Sequence, residues 1–140
     1  MRPGHRARLT LMGRVALLGV AVGLVVVVAS CGGGSKPYTL ARTKSCLVER
    51  GAHIGGKLDF VAQTATGGAF VTRLGDNFVA VVFGQTLTDG KQIELAYQRF
   101  AFSNVRAGLA ELLRRYNNVV TLWHLVPSSS DRALIVGCLR

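Results

Sequence analysis

Fifteen uncharged residues, Val15–Ala29 (VALLGVAVGLVVVVA), lie between a basic head and a glycine run. The head carries Arg2, Arg6, Arg8 and Arg14 and no acid. A helix that crosses a bilayer needs about 20 apolar residues, whereas the apolar region of an export signal needs about 7–15. The length therefore reads as an export signal. Ala29 and Ser30 are the small residues expected at its end. After Cys31, Gly32-Gly33-Gly34-Ser35 cannot propagate a helix and reads as a tether. The expected organisation is a signal over 1–30, a tether over 31–37 and a folded domain over 38–140. With 49% apolar and 17% charged residues the 140-residue chain is neither disordered nor a solvated coiled coil. Its net charge of +10 falls to +6 from Cys31 onward, where 13 basic residues meet 7 acids. About a hundred residues support one modest core, too little for the two closing lobes of a solute-binding protein.

Val28-Ala29-Ser30-Cys31 resembles the lipobox of bacterial lipoproteins, with Val28 in place of the usual Leu. The resemblance covers residues 1–35 only. It implies cleavage before Cys31 and a diacylglyceryl group on the Cys31 thiol. The protein is then expected at the cell membrane, anchored by lipid on the extracytoplasmic side. Two or more acyl chains make such anchoring stable. A tether reaching Pro37 spans at most roughly 20 Å, at about 3.3–3.6 Å per residue, so the domain stays near a bilayer whose anionic face suits its positive charge.

Within the domain, Thr39 is a candidate cap for a helix running to about Arg50, with Gly51 as its stop. Leu58–Ala62 reads as a short strand. Ala69–Leu74 and Phe78–Phe83, joined by Gly75-Asp76-Asn77, read as a hairpin. Thr88-Asp89 offers the next cap, and Ile93, Ala96, Tyr97 and Phe100 follow at helical spacing. Leu109, Leu112, Leu113 and Tyr116 repeat that spacing, which predicts a second helix ended by Asn117-Asn118. Val119–Val126 reads as a strand stopped by Pro127. Ser128 and Asp131 then open a last helix bearing Leu134, Ile135, Cys138 and Leu139.

The expected fold is a small α+β domain, an antiparallel sheet packed with helices. A strand at Pro37–Leu40 would complete the split βαβ, or ferredoxin-like, order, in competition with Thr39 as a cap. Both faces of FVAVVF and VVTLWHLV are apolar. Either helices cover both, or one face meets an envelope protein or a second copy.

Cys46 and Cys138 are an even pair in an exported chain, on apolar helix faces, and are expected to form a disulfide. With His5 in the signal, His53 and His124 are the candidate catalytic bases. No HExxH or Cys/His cluster suggests a metal, no GxSxG a serine nucleophile and no phosphate loop a nucleotide. The motifs call for no cofactor. The basic residues are scattered rather than striped, so no nucleic acid is expected as a partner. The favoured reading is a lipid-anchored extracytoplasmic binding or accessory module without catalysis. Its rival is a small extracytoplasmic hydrolase using His53 or His124.

Overall fold

The computed structural model describes residues 36–101 and 103–140. The signal, Cys31 and most of the tether lie outside the described residues. The domain is α+β, with one five-stranded antiparallel sheet between two layers of helices. In chain order the elements are α1 (Leu40–Glu49), β1 (His53–Ile54), α2 (Phe60–Gln63), β2 (Ala69–Leu74), β3 (Asn77–Phe83), α3 (Leu87–Phe100), α4 (Ser103–Arg106), α5 (Leu109–Leu112), β4 (Leu113–Tyr116), β5 (Val119–Trp123) and α6 (Ser129–Cys138). The strands lie in the order β1-β2-β3-β5-β4.

The β2–β3 hairpin forms at the expected residues, with Leu74 opposite Asn77 and Ala69 opposite Val82. Gly75 takes the left-handed conformation that this turn requires. Alternation along the strands then sorts the side chains. Phe70, Leu74, Val79, Val81, Phe83, Val119 and Trp123 form one core with α1 and α6. Val82 and Val120 form the other with Val61 and Ala62 of α2, Ile93 and Tyr97 of α3, and Leu109. Helices on both sides thus account for two apolar strand faces.

Several expectations are corrected. No strand occupies Pro37–Leu40: residues 36–39 are irregular and α1 starts at Leu40, so the ferredoxin-like order is not formed. Thr39 does stand at the cap position, but its N–H and hydroxyl both donate to the Arg140 carbonyl. Leu58–Ala62 is no strand. Asp59 accepts from the Ala62 N–H and opens the single turn of α2 instead. In α3 the cap is Thr86, and Asp89 completes the capping box from inside the helix. The Thr86 N–H holds the Asp89 carboxyl below the usual carboxylate range.

The largest revision concerns residues 109–116. Helical spacing of their leucines predicts one helix, yet only Leu109–Leu112 is helical, and Leu113–Tyr116 pairs with β5 as an edge strand. The connecting turn sets this outcome. Asn117 adopts a positive φ of 60°, which asparagine tolerates. Asn118 is fully buried, and its amide reaches Tyr38 and Gly84. β5 ends at Trp123, with one further bond from the His124 N–H to the Phe78 carbonyl, and is shorter than Val119–Val126. Asn77 ties this exit down, bonding both the N–H and the carbonyl of Leu125.

The disulfide is formed. Cys46 of α1 and Cys138 of α6 have Cα atoms 5.4 Å apart, within the range of about 4.4–6.8 Å that a bridge requires. It fastens the two helices of one layer together. Thr39 bonded to Arg140 and Tyr38 bonded to Asn118 bring both ends of the domain to one place.

Candidate functional site

The two candidate histidines lie in different parts of the domain surface. His53 is exposed in β1 and lines an open depression with Arg50, Arg73 and Asp131. His124 lies just past β5, exposed, with its ring edge-on to Phe78. Among the described residues, neither forms a hydrogen bond or ion pair with a carboxylate; the ion pairs are Arg73–Asp76 and Arg115–Glu94. Strand alternation suggests that His124 is covered on both sides; its N–H still donates to the Phe78 carbonyl of β3 at 2.9 Å, but its side chain is exposed. His124→Ala is therefore expected to change stability by no more than about 0.5 kcal/mol, as at most surface sites. Urea unfolding of the variant checks this, and a loss above 2 kcal/mol would contradict it. Among the described residues no three metal-ligating side chains gather, and no helix is long and apolar enough to cross a membrane.

The site with defined chemistry is an apolar cleft of about 410 Å³ between α2, α3 and α5, floored by the sheet. Cavities that hold small molecules run from about 300 to 1,000 Å³. The buried Val61, Tyr97 and Leu109 line it with Leu122, and Asp59, Phe60, Phe100 and Ala101 are its more exposed lining. The sequence builds it in three steps. Asp59 caps α2 and so sends Phe60 outward while Val61 and Ala62 turn into the core. The capping box starts α3 beside the β4–β5 turn, where Gly90 lies so close to Asn117 and Asn118 that a Cβ would strike their backbone. From Gly90, ten residues of helix carry the chain roughly 15 Å onward, placing Phe100 toward the end of the domain opposite Tyr38. Helical spacing predicts Phe100 on the buried face with Ile93 and Tyr97. It is instead 62% exposed, because α3 ends there and Ala101 turns extended.

Phe60, 70% exposed, meets Phe100 edge to face, with ring centroids 6.4 Å apart. Exposed aromatic rings in contact across a cleft mark a binding surface better than scattered ones. Below them the Tyr97 hydroxyl donates to Asp59 Oδ2 at 2.8 Å. Burial pushes the Tyr97 phenol far above the usual tyrosine range, and the hydrogen bond to Asp59 and its charge add to the shift. The folded state keeps a proton that the unfolded chain releases near pH 10. The stabilisation this represents is complete below that pH and is lost as pH rises through it. Tyr97→Phe should therefore flatten the alkaline fall of the unfolding midpoint, measured from pH 8 to 11. An unchanged slope would contradict the assignment.

Sequence reasoning missed this site. Asp59, Phe60 and Phe100 were hidden by a strand reading at one wall and by an idealised helix face at the other. The capping pattern of an acid three residues before Ala62 was the local signal available. The pairing of Asp59 with Tyr97, 38 residues apart, has no local signal. Comparison of the chain with protein-family models, with curated proteins and with solved structures gave no match.

Proposed function

We propose that this chain is a lipid-anchored extracytoplasmic binding module without catalysis, with the apolar cleft between α2, α3 and α5 as its binding site. The lipobox-like Val28–Cys31 supports the anchor, and the Cys46–Cys138 bridge suits an oxidising compartment. The observation that carries the binding role is the cleft, an apolar cavity among the described residues with two exposed phenylalanines on its edge. A protein of this size gains stability by closing such a gap, so its persistence points to an occupant. An accessory role in an envelope complex would use the same face.

The test compares the acylated protein with its Ala101→Trp variant, in which the indole fills the mouth at a half-buried position. A solvatochromic apolar dye should bind the first at one site per chain and lose that site in the second. His53→Ala and His124→Ala should leave binding intact. Equal dye binding by the Ala101→Trp protein would sink the reading. Turnover of an ester or amide substrate that is abolished in either histidine variant would favour the hydrolase instead.

A further inference from the structure

We infer that the cleft selects organic cations: an alkylammonium or quaternary ammonium head on an apolar body. The inference rests on the reading that the cleft is the binding site, and adds the class of ligand. Of the eight described lining residues three are aromatic, Phe60, Tyr97 and Phe100, and the charged one among them is the acid Asp59. Among the described residues no Lys or Arg lines the cavity: Lys57 and Arg99 are exposed, and the Arg106 guanidinium, also exposed, donates to the Ala101 carbonyl at the mouth at 3.1 Å.

Aromatic faces carry negative potential and attract cations, most of all ammonium groups that water solvates weakly. Phe60 and Phe100 stand at 82° to each other, which makes a corner of aromatic surface rather than a flat stack. The Asp59 carboxylate is fixed beside that corner by two donors, the Tyr97 hydroxyl at 2.8 Å and the Ala62 N–H at 2.9 Å. Each donor takes one acceptor position on a different carboxylate oxygen, so acceptor capacity remains. Val61, Leu109 and Leu122 supply only hydrocarbon, so the rest of the ligand must be apolar. An anionic ligand would meet the carboxylate and the ring faces together, and each would oppose it.

The experiment uses the acylated full-length mature protein in phosphatidylethanolamine–phosphatidylglycerol vesicles. The same vesicles carrying the Ala101→Trp variant correct for adsorption to lipid. Equilibrium dialysis measures hexyltrimethylammonium, 1-hexanol and hexanoate, which share one alkyl chain and differ in charge. The expected order is cation, alcohol, carboxylate, with the cation about 3- to 30-fold tighter than the alcohol. Asp59→Asn keeps a capping side chain and should weaken the cation several-fold while leaving the alcohol unchanged. Phe60→Leu and Phe100→Leu should do the same. Hexanoate binding as tightly as the cation, or an Asp59→Asn protein with unaltered preference, overturns the inference. Alcohol and cation bound equally overturn it while leaving the binding module standing. No cleft-dependent binding of any of the three overturns both.

Discussion

Replacing Cys46 and Cys138 by alanine is expected to lower the stability of the domain by about 4–5 kcal/mol. The bridge spans a sequence separation of 92, nearly the whole domain, so the unfolded chain loses much of its freedom when it is closed. The chain-entropy model gives that figure, and native strain or residual structure in the unfolded chain makes it an upper one. The loss is large against a total of about 5–15 kcal/mol for an ordinary domain. Packing adds to it. Cys138 is fully buried and Cys46 nearly so, and both lie in the core shared by α1, α6 and the sheet. The comparison is urea unfolding of the oxidised protein and of the double variant. A difference below 1 kcal/mol would show that the α1–α6 contact holds without the bridge. The two helices flank one face of the sheet while the cleft lies on the other, so a double variant that still folds should keep its dye site.

Asn118→Ala is expected to cost about 2–4 kcal/mol. The side chain is fully buried and serves three backbone groups at once. Its oxygen accepts from the Tyr38 N–H, and its nitrogen donates to the carbonyls of Tyr38 and Gly84, at 2.7–2.9 Å. Each buried polar group left without a partner costs about 1–3 kcal/mol. Tyr38 regains part of this from water, whereas the bond to Gly84 is buried. Asn118 is therefore the joint between the first residues of the domain, the end of β3 and the β4–β5 turn. Thermal unfolding measures the total, and hydrogen exchange at the Tyr38 amide reports the joint itself. Slow exchange at that amide in Asn118→Ala would contradict the account.

Where the sequence was legible, a single local rule decided the outcome. The β2–β3 hairpin follows from β-branched and aromatic residues on either side of Gly75. The α+β class follows from strand and helix patterning, and the Cys46–Cys138 pairing from the two cysteines that the folded domain contains. It was misleading where two rules competed. Leu109, Leu112, Leu113 and Tyr116 satisfy a helical period, but Asn117 and Asn118 form a tight turn that makes Leu113–Tyr116 a strand. At Leu58–Ala62 the capping ability of Asp59 outweighs the β-propensity of Phe60 and Val61. The cleft was illegible for another reason. It depends on where α3 stops, and on a contact between Asp59 and Tyr97 that only the packed sheet brings about.

The most direct test of an anchored, oxidised, extracytoplasmic module is the intact mass of the protein taken from its own envelope without reductant. The expected mass is that of a chain beginning at Cys31, carrying a diacylglyceryl group on that residue and lacking the two thiol hydrogens of Cys46 and Cys138. Cys31→Ser should remain unprocessed or leave the membrane. A mass that retains Met1, an unmodified Cys31 in a soluble form, or free thiols at Cys46 and Cys138 would contradict it.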